Sequence, residues 1–159
     1  MKHTISALVA NRAGVLADMA LAFKKYALNI QSISCGETEK PEVSRMVICL
    51  EAPDEAMAEI TAAVAAMDFV IQVDDLARKE FVDRELVLIK VQRTSAGLSQ
   101  LMQILEVFRA SVVGMGEASL TVELSGDSER VEGLIKMLAP FGILSMARTG
   151  KIALKRGDE

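Results

Sequence analysis

The residues best suited to bind a ligand are two asparagines and a glycine in the first thirty positions, Asn11, Gly14 and Asn29. An asparagine amide both donates and accepts hydrogen bonds, which suits the ammonium and carboxylate groups of an amino acid. Glycine has no Cβ, so a ligand can approach the backbone closely at Gly14. This pattern predicts a pocket that binds a small molecule without carrying out chemistry on it.

A strand-to-helix turn must position these residues. Residues 4–9 are apolar enough for a buried strand, and Val15, Met19 and Phe23 then recur at helical spacing. The first N–H groups of such a helix have no partner inside it, and its dipole attracts a carboxylate or a phosphate. The competing interpretation is an ordinary helix start, because Asn is a common N-cap and Gly a common turn residue.

The inventory of reactive side chains argues against catalysis. The single histidine, His3, begins the first predicted strand and has no nucleophile near it in the sequence. Acidic residues are scattered, so no spaced pair is placed to bind a metal ion or to act as acid and base. Gly14 is isolated, and Gly114 and Gly116 lie between short strands, so there is no phosphate-binding loop. We expect neither a catalytic residue nor a metal site.

Composition and charge argue against two further classes of protein, those that bind nucleic acid and those that span a membrane. The chain has 159 residues, of which 51% are hydrophobic, and a formal net charge of −4. That balance disfavours a nucleic-acid partner, and no apolar run is long enough to span a bilayer. The N-terminus has a strand pattern, so we expect no signal peptide. Cys35 and Cys49 have no metal-binding or redox spacing, which favours reduced thiols in a cytoplasmic protein.

The order of predicted elements repeats along the chain. The first unit is predicted to have the order strand, helix, strand, strand, helix, strand. The corresponding residues are 4–9, 14–26, 29–35, 44–50, 54–67 and 69–73. The same order follows at 86–91, 98–108, 111–115, 119–124, 128–138 and 143–147, with a tail strand at 152–154. We expect Asp54 to be the N-cap of the second helix. The fold class is therefore α+β, with tandem ferredoxin-like βαββαβ units.

A charged stretch divides the two units. Residues 77–85 are predicted to be a solvated linker, which leaves domains at 1–76 and 86–159. Aligning Phe23 with Phe108 sets residues 92–97 opposite the first loop, without an Asn-x-x-Gly pattern. A sheet of this topology keeps an open edge, so we expect a homodimer formed through the first units, with the pocket near the seam.

Motifs over nearly the whole chain resemble one known family. The regulatory, or small, subunit of acetolactate synthase is similar at Asn11–Leu16, Asn29–Ile30, Ser44–Met46, Arg84–Val91, Phe108–Ala110 and Ala147–Gly150. The first motif alone indicates only an ACT domain, which is a general amino-acid sensor. The later motifs are far more specific to the family, although they assign no contact to Arg45, Arg148 or Thr149.

The resemblance implies a regulator and not an enzyme. Its N-terminal ACT domain would dimerise and bind a branched-chain amino acid, chiefly valine, beside a related C-terminal domain. The partner would be a large catalytic subunit that carries thiamine diphosphate, Mg²⁺ and FAD, while this chain holds no cofactor. This chain would raise the activity of that partner, and valine would lower it.

The resemblance also implies a set of effector-binding residues: Asn11, Ala13, Gly14, Val15, Leu16, Asn29 and Ile30. The backbone around Gly14 would hold the carboxylate, and an asparagine side chain would meet the ammonium. Val15, Leu16 and Ile30 would form an apolar floor for a branched side chain.

The chain departs from the family pattern at two places, and two other functions stay open. Ala27 stands where the family usually has a glycine, and Asp18–Met19 replaces the usual Arg-Val. One alternative is a stand-alone ACT-domain sensor that serves a different enzyme or a transcription factor. The other is a small α+β enzyme with an unrecognised site.

Overall fold

The first half of the chain forms a four-stranded antiparallel sheet that packs two helices on one face. The structure, a computed structural model, describes residues 1–158. The elements are β1 (Lys2–Ala10), α1 (Val15–Lys25), β2 (Ile30–Glu37), β3 (Val43–Glu51), α2 (Asp54–Ala65) and β4 (Val70–Asp75). The strand order is β2-β3-β1-β4, so β2 and β4 are the edges.

Every second residue of the central strands belongs to the core that faces the helices, which explains this packing. Ile5, Ala7 and Val9 of β1 are buried in a core shared with both helices. The apolar stripe of α1 closes that core with Met19 and Phe23, which are both fully buried. The aliphatic core that the sequence predicts is therefore present in the first unit.

The second half repeats the same order of elements. It comprises β5 (Phe81–Gln92), α3 (Leu98–Phe108), β6 (Ser111–Met115), β7 (Ser119–Gly126), α4 (Ser128–Leu138), a 3-10 turn (Ala139–Phe141), β8 (Ile143–Arg148) and β9 (Ile152–Lys155). The strand order is β6-β7-β5-β8, and β9 pairs with β5 outside that path. The predicted α+β class with tandem βαββαβ units is confirmed.

The predicted linker differs from the structure. β5 begins at Phe81, so residues 81–85 belong to a strand and not to a solvated connection. The charged residue Glu85 is only 4% exposed there, because Arg148 neutralises its carboxylate through two hydrogen bonds of 2.8 Å. A paired charge can lie in a strand that charge density alone predicts to be a loop.

The last strand belongs to the first compact unit, although the sequence assigns residues 86–159 to the second domain. Compact unit 1 contains residues 1–82 and 151–158, and unit 2 contains residues 83–150. The physical cause is a small apolar cluster in which Ala153 of β9 packs with Val47 and Leu76. Ser34 Oγ also donates a 2.6 Å hydrogen bond to the carbonyl of Lys151.

An ion pair adds to this attachment of the chain end. Lys155 lies 2.7 Å from the carboxylate of Asp74. Burial tends to raise the pKa of Asp74, but hydrogen bonds from Lys155, Lys79 and Gln72 outweigh it and hold that pKa well below its usual range. Asp74 therefore stays ionised and keeps β9 attached to unit 1.

The helix termini differ from the sequence prediction in detail. α2 has Pro53 as its N-cap, and Asp54 is its first helical residue, so the predicted cap at Asp54 is wrong by one position. A carboxylate in the first turn still complements the helix dipole. Asp127 caps α4, where its side chain accepts a hydrogen bond from the Arg130 amide.

The two cysteines do not face each other. Cys35 pairs with Met46 and Cys49 pairs with Ser32 in the β2–β3 register. Both are free thiols, with Cys35 exposed and Cys49 buried. None of the helices between residues 1 and 158 has the length and apolar character needed to cross a membrane.

Candidate functional site

The N-terminus of α1 is uncapped and open. Gly14 is the N-cap residue, with φ 90° and ψ −20°, and no side chain caps the helix. The Asp18 amide starts the helical ladder by donating to the Gly14 carbonyl at 3.0 Å. The N–H groups before it are the ones that a helix leaves without internal partners, and they carry the positive end of its dipole. This end of α1 can therefore bind an anionic group.

The left-handed backbone explains the glycine. A φ of 90° is costly for residues with a Cβ. A Cβ added at Gly14 would meet nothing within 4 Å, so backbone conformation and not crowding selects glycine in the isolated chain. The space beside Gly14 is therefore open.

Asn11 is held by the β2–β3 hairpin. Its backbone N–H donates to the Glu42 carbonyl at 2.8 Å. Its side-chain Nδ2 donates to the Pro41 carbonyl at 2.8 Å and to Glu37 Oε1 at 3.3 Å. Both amide hydrogens are thereby used, and Oδ1 remains as an acceptor. This oxygen suits an ammonium group, which is the partner that the sequence predicts for an asparagine in this region.

Asn29 and Ile30 lie far from Asn11 within one chain. Ile30 pairs with Leu50, which pairs with His3 near the start of β1. The other end of β2 pairs with Ser44 of β3, which in turn pairs with Val9 beside the loop that contains Asn11. At about 3.3 Å per residue, β2 separates the two asparagines by roughly 20 Å. A single chain does not bring both of them to one ligand.

The remaining predicted residues have different exposures. Ala13 and Asn29 are exposed, and Ile30 is half-buried against the core of unit 1. Val15 is 3% exposed and belongs to that core, whereas Leu16 is 51% exposed. Two of the residues predicted to form an apolar floor therefore differ. Leu16 presents its side chain to solvent, whereas Val15 can offer a ligand only its backbone N–H.

Three neighbours of this loop are missing from the sequence prediction. Glu37 and Pro41 contact Asn11 from the hairpin, and the Arg12 guanidinium pairs with Asp68 at 3.1 Å. The charged hairpin with its proline marks a turn in the sequence. Nothing in the sequence, however, indicates that the carboxylate of Glu37 lies beside Asn11.

An exposed apolar face lies on α1, next in sequence to the site. Leu16 and Leu21 are 51% and 55% exposed, and Ala17 and Ala20 between them are also exposed. The edge strand β2 has β3 on one side only. An uncovered helix face and an unpaired strand edge are features that usually meet a partner.

The shared-motif residues that had no assigned role have structural contacts. Arg45 donates to Ser6 Oγ at 3.0 Å, and the Thr149 hydroxyl accepts from the Leu86 amide at 3.1 Å. Arg148 binds Glu85 through two nitrogens and also contacts Glu132 at 2.8 Å. The Glu85 hydrogen bonds raise the pKa of Arg148 above its usual range, against the opposing effect of burial.

The single histidine is also in a structural pair. His3 is 3% exposed, and its Nδ1 lies 2.7 Å from Asp75 Oδ2. Its Nε2 lies 3.4 Å from Asp54 Oδ1 without hydrogen-bond geometry. The three side chains join the start of β1, the first turn of α2 and the end of β4. His3 is remote from the α1 terminus, because it lies at the opposite end of β1.

Comparison with known proteins covers both units. Residues 5–72 match the family described as the AHAS small subunit-like ACT domain, and residues 84–157 match the small subunit of acetolactate synthase. The acetolactate synthase small subunit of Mycobacterium bovis is 39% identical over 155 residues, which is 98% of this chain and 92% of that protein.

Two further proteins are similar over almost their full lengths. The probable acetolactate synthase small subunit of Archaeoglobus fulgidus is 35% identical over 159 residues, covering 100% of this chain and 99% of the relative. The crystal structure of the Thermotoga maritima small subunit superposes with a TM-score of 0.86 at 30% identity, covering 100% and 99% of the two chains. The chain therefore belongs to the family of acetolactate synthase small subunits, which regulate that enzyme and carry no catalysis of their own.

Proposed function

We propose that this subunit activates the large catalytic subunit of acetolactate synthase and makes it sensitive to a branched-chain amino acid, chiefly valine. The observation that carries the proposal is the uncapped N-terminus of α1, which follows three residues after Asn11, whose two amide hydrogens are both used and whose Oδ1 is left as an acceptor. A donor-rich helix end and a nearby acceptor oxygen complement the two charged groups of an amino acid.

The contacts of a bound amino acid follow from this arrangement. Its carboxylate would accept hydrogen bonds from the backbone N–H groups of the first turn, from Gly14 to Leu16. Its ammonium would donate to Asn11 Oδ1. Its branched side chain would contact exposed apolar surface, which Leu16 supplies on this chain.

A second copy of the chain would complete the site. Antiparallel pairing of two β2 edges about a twofold axis sets the start of one β2 beside the end of the other. This brings the partner subunit's Asn29 and the partner subunit's Ile30 towards Asn11. The roughly 20 Å between Asn11 and Asn29 in one chain, and the exposed α1 face, support a homodimer of this kind.

The regulated chemistry resides in the other subunit. The cofactors of the enzyme belong to the large subunit, and we propose that they are thiamine diphosphate, Mg²⁺ and FAD, acting in the cytoplasm. For valine to lower activity, the less active arrangement of the complex must bind valine more tightly than the active one. Such coupling is reciprocal in binding and typically about 1–3 kcal/mol.

Calorimetry of the purified subunit with valine, leucine and isoleucine tests the site. We expect saturable binding that Gly14→Asp abolishes, because a carboxylate at that position repels the ligand carboxylate and fills its place. Asn29→His should also abolish binding, through the loss of its amide. The proposal is wrong if the unaltered subunit binds none of the three amino acids.

Gly157→Asp is the matched control for Gly14→Asp. Gly157 also has a left-handed φ, of 84°, and open space where a Cβ would lie. It therefore introduces the same backbone strain and the same charge far along the sequence. Equal loss of binding in both variants would show that strain and not the α1 terminus is responsible.

A further inference from the structure

We propose that Glu37 is a positioning residue that orients the Asn11 amide, so that the site prefers an amino acid over the 2-keto acid of the same carbon skeleton. The inference rests on the proposed amino-acid site and adds to it the basis of discrimination at the 2-position. Glu37 is the last residue of β2 and lies on the hairpin, outside the motif that carries Asn11 and Gly14.

The orientation of the amide follows from the two groups that face it. Nδ2 of Asn11 lies 2.8 Å from the Pro41 carbonyl and 3.3 Å from a carboxylate oxygen of Glu37. Both of these groups are acceptors only, since an ionised carboxylate has no hydrogen to give. A flipped amide would press Oδ1 against two acceptors. The hairpin therefore fixes the amide with its nitrogen inwards and its oxygen towards the ligand.

A fixed acceptor oxygen distinguishes nitrogen from oxygen at the 2-position. The ammonium of an amino acid donates to Oδ1, while the carbonyl oxygen of a 2-keto acid has no hydrogen and faces it with a lone pair. The two molecules share the carboxylate and the branched side chain, so the α1 terminus and the apolar surface bind both equally. Binding sites built around one hydrogen bond reject analogues that cannot make it.

Glu37 supplies one of the two bonds that fix the amide. Without it, the Pro41 carbonyl alone restrains Asn11, and water can take the second amide hydrogen. Asn11 is exposed, so the flipped amide becomes accessible and can donate to a keto oxygen. Losing one charge-assisted hydrogen bond should reduce the preference for the amino acid about five- to tenfold.

The test measures dissociation constants of the full subunit for valine and for 3-methyl-2-oxobutanoate, and compares their ratio between variants. Glu37→Ala should lower the ratio of keto-acid to valine dissociation constants about five- to tenfold. Glu37→Gln should lower the ratio less than Glu37→Ala does, because its amide oxygen can still accept the same Asn11 hydrogen, although its NH2 group can also donate to a flipped Oδ1. Glu39→Ala removes another exposed acid from the same hairpin and should leave the ratio unchanged.

A ligand-free readout accompanies the binding data. The ¹⁵N–¹H signals of the Asn11 side-chain amide should shift in Glu37→Ala, whereas Glu39→Ala should leave them in place. Thermal unfolding verifies that each variant is folded. An unchanged ratio in a folded Glu37→Ala variant, or a lowered ratio without a shift of the Asn11 signals, overturns the inference.

The remaining outcomes separate two kinds of failure. If Glu37→Gln loses preference as far as Glu37→Ala does while the Asn11 amide signals stay in place in both variants, the carboxylate charge attracts the ammonium directly, and the positioning role is wrong. If the unaltered subunit binds valine but Glu37→Ala keeps the full preference, only this inference fails. If the unaltered subunit binds no amino acid, both the inference and the proposed function fail.

Discussion

At the scale of single residues, the molecule pairs a buried charge but leaves the first backbone donors of α1 without a side-chain cap. Glu85 is only 3% exposed in its side chain and is neutralised by Arg148, while the N-terminus of α1 has no side-chain cap. A buried charge without a partner is costly, so the first arrangement cannot lose one member cheaply. The second arrangement is exposed, so solvent can satisfy its backbone donors.

Arg148→Ala tests the structural half of that contrast. Removing the guanidinium leaves the Glu85 carboxylate buried without its two hydrogen bonds, which should lower the free energy of unfolding by about 2–3 kcal/mol. Urea unfolding followed by circular dichroism measures the change.

Glu132→Ala is the control for Arg148→Ala. Glu132 contacts the same arginine, but its side chain is 49% exposed, so the expected loss is below about 1 kcal/mol. Equal losses of unfolding free energy in the two variants would show that the burial of Glu85 does not determine how much its pair with Arg148 stabilises the protein.

At the scale of elements, α1 and α3, which are the first helices of the two repeated units, end in the same motif. After α1, the Ala27 amide donates to the Lys24 carbonyl and the Leu28 amide to the Phe23 carbonyl. After α3, Arg109 and Ala110 donate to Glu106 and Leu105 in the same pattern. Ala27 and Arg109 both have φ 53°, the left-handed conformation that glycine usually supplies at this position.

This motif corrects the alignment of the two halves. Ala27 corresponds to Arg109, so Tyr26 and not Phe23 corresponds to Phe108. The spacing of apolar residues could not fix the alignment of α1 with α3, because a shift of about one helical turn leaves both apolar stripes in similar positions. Backbone conformation settles it, because each helix has one left-handed residue at its end.

Ala27→Gly should stabilise the protein. Glycine relieves the left-handed strain of about 1–2 kcal/mol, and its larger entropy loss on folding offsets part of this gain. We expect a net increase of about 0.5–1 kcal/mol in the free energy of unfolding, measured by urea titration. Ala20→Gly, on the exposed face inside α1, should instead lower it by about 1 kcal/mol. A destabilised Ala27→Gly variant would contradict this account of the turn.

Local pattern predicts the elements well, but it does not predict which of them meet. The spacing of apolar residues places most strands and helices within a few residues, because those signals are local, but it misses the first five residues of β5. The pairing register, which separates Asn29 from Asn11, arises from contacts between distant segments. For the same reason the hairpin partners of Asn11 could not be predicted from the sequence.

At the scale of the whole molecule, the chain passes between its two compact units twice. It leaves unit 1 after Val82 and returns to it at Lys151. The returning strand β9 is anchored in unit 1 by Ala153 in the apolar cluster and by Lys155 on Asp74. The end of the chain is thus part of the unit that contains the candidate site.

Ala153→Asp tests this attachment. Ala153 is 3% exposed, and a carboxylate at this position would be buried in the apolar cluster of Val47 and Leu76. We expect the free energy of unfolding to fall by about 2–4 kcal/mol. Thermal unfolding followed by calorimetry measures the change.

Leu154→Asp is its matched control. Leu154 is the next residue of β9 and is 54% exposed, so the same substitution should change stability by less than about 0.5 kcal/mol. If Ala153→Asp were as stable as Leu154→Asp, the attachment of β9 would not depend on this cluster.

The most direct test of the central claim is the rate of acetolactate formation by the large catalytic subunit mixed with this chain, with and without valine. We expect the unaltered chain to raise that rate and millimolar valine to lower it several-fold. Gly14→Asp should raise the rate equally well but remove the response to valine. Failure of the chain to raise the rate, or an undiminished valine response with Gly14→Asp, would contradict the account.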